Sequence, residues 1–190
     1  MIARSALAAT VAAGTCLVAF SLVTAGPASA STSHREVHMS GNLSAAGSGS
    51  TFVSYDPEAA PTGTRVSVVL ADTGEGHTQV TLDVDGLLPD QTYAALAHVD
   101  PCGATAADAG ERFQGAAGNE VSLDLATDGA GAGHAEADVP FTFGSGGPRS
   151  VVLHQDGAAA ADAGQSGDDG AVACITLPGH VDAVLPGLPR

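Results

Sequence analysis

Beyond residue 30 the chain carries almost no helical periodicity. It has instead a series of short alternating or β-branched runs, at residues 51–55, 64–70, 78–84, 92–99, 120–126, 133–141, 150–154 and 172–177, each closed by Gly, Pro, Asp or Asn. Successive side chains of an extended strand point to opposite faces, so runs of this kind bury one face and leave the other to water. Eight of them predict an all-β domain, an eight-stranded Greek-key β-barrel or sandwich. Gly86-Leu87-Leu88-Pro89-Asp90 and Asp128-Gly129-Ala130-Gly131 are strong turns, and the second joins its flanking runs closely enough to predict a hairpin.

The first thirty residues follow different rules. Arg4 supplies a positive start, residues 7–23 are mostly apolar and uncharged, and Ala28-Ser29-Ala30 is a small-x-small cleavage site. Residues 1–30 therefore read as a secretory signal peptide cleaved after Ala30, which predicts a secreted, extracellular protein. The apolar run is short for a span and no second one follows, so no membrane span is expected in the mature form. Residues 31–50 and 178–190 are polar or proline-rich and read as a flexible N-terminal segment and a flexible C-terminal tail around a single domain at 51–177.

Of the three cysteines, Cys16 leaves with the signal, and Cys102 and Cys174 remain in an oxidising compartment where they should pair. Closing a loop of that length contributes about 4 kcal/mol in the chain-entropy account. The formal net charge is −15, with 21 acidic residues, six arginines and no lysine. The acids are dispersed, which excludes nucleic acid and anionic membranes as partners and favours a soluble surface. Two connections, 100–119 and 155–171, are too long for simple turns, and such loops in a compact β domain carry function or disorder. No Ser/His/Asp motif, phosphate-cradling glycine loop or carboxylate pair stands out, and Glu111, Asp156, Asp168 and Asp169 read as solvated loop charges.

The order of landmarks is more specific than any one of them. Gly86-Leu87-Leu88-Pro89 precedes a strand. His98-Val99-Asp100-Pro101-Cys102-Gly103, Ala109-Gly110-Glu111-Arg112-Phe113-Gln114 and Asn119-Glu120-Val121-Ser122-Leu123-Asp124-Leu125 follow, then Arg149-Ser150-Val151-Val152-Leu153-His154 and Ala173-Cys174. Over residues 51–177 this series resembles the copper/zinc superoxide dismutase family, in particular its secreted actinobacterial-type branch. The resemblance implies an eight-stranded Greek-key β-barrel, a bridge between a long loop and the last strand matching Cys102 and Cys174, and superoxide as substrate. It also implies a copper held by four histidines, one of them shared with a zinc that two more histidines and an aspartate complete.

Most of those ligand positions are replaced. Two copper histidines of the family come from a His-x-His stretch, where i and i+2 face the same side of a strand; here it reads Leu96-Ala97-His98. His154 matches a copper histidine on a later strand and Asp124 matches the zinc aspartate. Arg112 stands where the bridging histidine is expected, only Gly115, Ala116, Ala117 and Gly118 follow it, and Ala171 holds the place of the arginine that guides superoxide. Copper(II) prefers a tetragonal set of nitrogen and oxygen donors and zinc wants four ligands, so His98 and His154 should bind copper(II) only weakly and Asp124 alone cannot hold zinc. A guanidinium cannot ligate and opposes metal charge, and Arg112 is expected to pair with Asp124 across the vacated zinc position.

The expectation is a protein of superoxide metabolism and metal binding by family, with little or no dismutase activity of its own. The alternative is a non-catalytic extracellular copper-binding or structural module. His98 and His154 can hold Cu(I) in linear geometry, and the competing reading makes each a hydrogen-bonded histidine on the barrel surface. His34 and His38, with Met39, form a candidate loose copper chelate in the flexible start, while His77, His134 and His180 read as solvent-exposed.

Overall fold

The structure, a computed structural model, describes residues 36–74, 76–115, 120–140, 146–155 and 170–178. All of these fall in one compact unit, the part of the chain from Ser33 onward. Residues 1–30, expected to be a signal peptide, together with His34, residues 156–169 and the stretch beyond Pro178 with its His180, lie outside the described residues.

Ten strands are described: β1 (Glu36–Asn42), β2 (Ser44–Ala45), β3 (Phe52–Ser54), β4 (Arg65–Gly74), β5 (His77–Asp85), β6 (Thr92–His98), β7 (Ser122–Ala126), β8 (Ala132–Val139), β9 (Ser150–Gln155) and β10 (Ala171–Thr176), with a single short 3₁₀ turn, η1 (Ala106–Ala109), after β6. They form two layers. One sheet has the order β1-β4-β5-β8 and the other β2-β3-β10-β9-β6-β7; every pairing is antiparallel except β2 with β3. The predicted all-β class is present, and the eight predicted runs coincide with β3 to β10. No helix among the described residues is long and apolar enough to cross a membrane.

Alternation explains the four-stranded sheet directly. Val66, Val68 and Leu70 of β4 and Val80, Leu82 and Val84 of β5 are buried, and the residues between them face outward. Each such side chain contributes about 1.5–3 kcal/mol by leaving water. The same rule corrects the expectation of a flexible segment at 31–50. Glu36–Asn42 pairs with β4 over its whole length, and Val37 and Met39 pack against the core from one face of β1. His38 therefore points away from Met39, its Nε2 3.1 Å from the Ser67 hydroxyl, while His34, the other member of the candidate chelate, lies outside the described residues.

The predicted hairpin at Asp128–Gly131 is also corrected. Its strands, β7 and β8, belong to different sheets and share one isolated bridge, Thr127 with Gly133. The turn is a corner between the layers, and it docks on the other predicted turn, which carries the chain from β5 to β6. Gly86 and Leu87 N–H groups donate to the Gly131 carbonyl at 3.2 and 3.1 Å, and the Thr127 hydroxyl donates to the Leu88 carbonyl at 2.6 Å. Gly131 has φ +81°, and a Cβ there would lie 2.1 Å from the Leu87 oxygen, so only glycine fits.

The six-stranded sheet behaves differently because its central strands are buried on both faces. Tyr93, Ala95, Ala97, Leu153 and Ile175 enter the core between the sheets, and Ala94, Leu96, His98, Val152 and Cys174 on the opposite face are closed off as well. Over His98, Val152 and Cys174 the cover is the connection after β6. The predicted Cys102–Cys174 disulfide, joining residues 72 apart with Cα atoms at 5.8 Å, pins it to β10. Ala109 of η1 then packs on Val152 and Cys174, with Tyr55, Cys102 and Ala171 around them.

Candidate functional site

The covered outer face of the six-stranded sheet holds the two histidines singled out by the sequence. Because Tyr93, Ala95 and Ala97 occupy the core side of β6, Ala94, Leu96 and His98 must face the other way. β6 pairs with β9 so that Ala94 opposes His154, Leu96 opposes Val152 and His98 opposes Ser150. Opposed residues of an antiparallel pair share a face, so His98 and His154 lie diagonally across the pair with Leu96 and Val152 between them. Their rings lean toward each other, with centroids 6.3 Å apart and planes 21° from parallel.

Both are buried, at 0% and 2% exposure, which corrects the surface alternative. His98 is oriented by the backbone. Its Nδ1 lies 2.9 Å from the Gly110 carbonyl, which can only accept, so Nδ1 donates and Nε2 carries the lone pair. Among the described residues His98 Nε2 has no hydrogen-bond partner. Burial pushes the His98 imidazole below its ordinary pKa; the Gly110 bond opposes this and the Arg112 charge reinforces it. A neutral ring with one nitrogen held by a carbonyl and the other bare is the state in which histidine ligates metals. Gly110 owes its position to φ +73°, and a Cβ on it would meet Asp100 Oδ2 at 2.5 Å.

The other positions are not drawn into a metal set. Asp124 shares a row with Ala94 and His154 but sits exposed on β7. Arg112 forms a bridge with His98 through the backbone, and its Nη1 lies 3.8 Å from Glu120 Oε2. The expected Arg112–Asp124 pair is therefore replaced by Arg112–Glu120, because the isolated bridge of Gln114 with Glu120 brings the nearer carboxylate to the arginine. Ala171 lies across from His154, next to the irregularity in β10, and Leu96 is 1% exposed. Among the described residues no group of three or more His, Cys, Asp or Glu is placed to hold a metal ion.

These residues do not fit a binuclear copper/zinc centre. Leu96 offers no donor and Asp124 joins no cluster of His, Cys, Asp or Glu among the described residues, which provide neither the tetragonal set of copper(II) nor the four ligands of zinc. Two contributors escaped sequence reasoning: the Gly110 carbonyl, which has no side-chain signature, and Glu120, whose proximity depends on the path of its loop.

His77 and His134 stand on the outer face of the four-stranded sheet. His77 Nδ1 lies 2.6 Å from Asp138 and His134 Nδ1 lies 2.7 Å from Asp83, both pairs exposed on the four-stranded sheet as expected for these two histidines. The chain matches no known protein-family profile and no curated protein.

Proposed function

We propose that this protein is a secreted, disulfide-bonded domain of the copper/zinc superoxide dismutase-like Greek-key type that has lost dismutase turnover. The order of landmarks over 51–177, the two-layered β architecture and the bridge from the long loop to the last strand support the fold assignment. One observation carries the functional half: among the described residues two buried imidazoles converge, and the side chains lying between them on the shared face are Leu96 and Val152. Dismutation requires an ion that cycles between Cu(I) and Cu(II) within one donor set, and Cu(II) in particular needs more nitrogen or oxygen donors than these. Arg112 adds fixed positive charge beside His98 without adding a ligand.

On this reading the domain acts outside the cell as a non-catalytic module. Its link to superoxide chemistry is one of descent, and copper is the metal it retains some capacity to hold. The test is superoxide consumption by purified mature protein after copper loading, with bound metal quantified in the same sample. Consumption no faster than that of the free metal carried with the protein is the expected result; stoichiometric copper with sustained turnover would sink the proposal.

A further inference from the structure

We propose that His77 and His134 form a proton-operated clamp that holds the edge strand β8 against β5. The clamp lies on the four-stranded sheet and stands whether or not the other sheet holds a metal, so it does not depend on the function proposed above. β8 has little else to fasten it. Within its sheet it pairs with β5 alone, and its backbone pairing toward β7 is the isolated bridge of Thr127 with Gly133. Its buried residues are Ala135 and Val139, with Ala137 partly buried, whereas β4 buries Val66, Val68 and Leu70 and β5 buries Val80, Leu82 and Val84. Apolar stabilisation scales with the area removed from water, so contacts on the outer face matter more for β8 than for its neighbours.

Those contacts are built from groups that titrate. β5 and β8 expose Asp83, Asp85, Glu136 and Asp138 and carry no lysine or arginine; His77 and His134 are the residues on them that can become positive. Each ring is set against an aspartate of the other strand. His77 Nδ1 lies 2.6 Å from Asp138 at one end of the ladder, His134 Nδ1 lies 2.7 Å from Asp83 toward the other, and Gln79 donates to Glu136 between them. On β4, Arg65 opposes Asp85, Ser67 opposes Asp83, and Asp72 accepts the Gly74 N–H; Glu36 and His38 stand one strand further, on β1. β7, which meets β8 at the corner, carries Asp124 on the outer face of the other sheet.

A protonated ring turns its hydrogen bond into a charge-assisted one and offsets a carboxylate. The Asp83 hydrogen bond raises the His134 pKa against a smaller opposing effect of burial, and the charges of Asp83 and Glu136 add to it. The stabilisation of β8 by this pair is therefore complete below the unfolded value of about 6.5 and is lost as pH rises through the folded one. When β8 lifts, the edge of β5 is open to strand addition, so the clamp ties access to that edge to pH.

Native-state amide exchange of the full mature protein, expressed as protection factors to remove the intrinsic effect of pH, tests the clamp. Between about pH 5.5 and about pH 8.5, protection of β8 is expected to fall roughly two- to tenfold further than that of β10, which carries no free titratable side chain, as befits exposed ion pairs. The fall should follow the His134 imidazole titration read by NMR and shrink in about 1 M salt. His77→Gln with His134→Gln should flatten it. Protection of β8 that does not change with pH, or that falls in parallel with β10, would overturn the proposal, and neither readout needs a variant; a pH response that survives the double substitution would overturn it as well.

Discussion

The two outer faces of this sandwich carry the same residue type in opposite states. On the six-stranded sheet His98 and His154 are buried, and the disulfide-pinned loop holds the His98 Nδ1 through the Gly110 carbonyl while burial lowers its pKa and Nε2 lacks a hydrogen-bond partner among the described residues. On the four-stranded sheet His77 and His134 stand in water, each against an aspartate, and the Asp83 hydrogen bond raises the pKa of His134, with the charges of Asp83 and Glu136 adding to it. The difference teaches that donor chemistry here is set by the cover over the sheet. Open strands leave a histidine in water against a carboxylate; under the covering loop His98 is a buried ring held by a backbone carbonyl.

The largest test of that contrast removes the cover. Cys102→Ser with Cys174→Ser should cost about 4 kcal/mol by the chain-entropy account, read as a fall in denaturant midpoint, and should raise amide exchange around His98 while leaving β4 and β5 protected until global unfolding. Equal loss of protection on both sheets would show that the loop does not act as a local cover. Leu96→Ala comes next. Truncating this buried side chain should cost about 2–4 kcal/mol in chemical denaturation, whereas the outward-facing Thr81→Ala on the four-stranded sheet should stay within about 0.5 kcal/mol. Similar small costs at both positions would mean that the outer face around Leu96 is loosely packed.

Gly110→Ala forces a side chain into a left-handed backbone position against Asp100, at about 1–3 kcal/mol. The NMR signature of the His98 Nδ1 proton should shift as its carbonyl partner moves, and an unchanged signal with lower stability would uncouple the turn from the ring. The smallest effect is Asp83→Asn. Because the folded-state pKa of His134 lies above its unfolded value, the stabilisation from this pair is fully present below the unfolded pKa of about 6.5 and is lost as pH rises through the folded one. The substitution should bring the His134 NMR titration back toward the ordinary value, and a midpoint unmoved by it would assign the shift to another group.

How much of this was legible beforehand varied with burial. In β4, β5 and β7 the apolar residues alternate with polar ones, and the runs were visible as strands. β1 was not, because only Val37 and Met39 mark its inner face and the residues between them belong equally well to a loop. The Asp128–Gly131 turn was legible as a turn but not as a corner, since a tight connection looks the same whether its strands stay in one sheet or part into two. Arg112 was legible as an intruder in a metal position; its partner was misjudged because Glu120 and Asp124 lie four residues apart and only the loop path separates them.

By itself, then, the sequence determined the all-β class, the positions of eight strands, the two cysteines available to pair and the shortage of ligating side chains, because periodicity and residue chemistry are local properties. Only the tertiary structure decided which histidines are buried, that two of them meet across Leu96, and that a backbone carbonyl orients one of them. Those outcomes depend on strand register and on what covers a face, which arise from contacts between residues far apart in the chain.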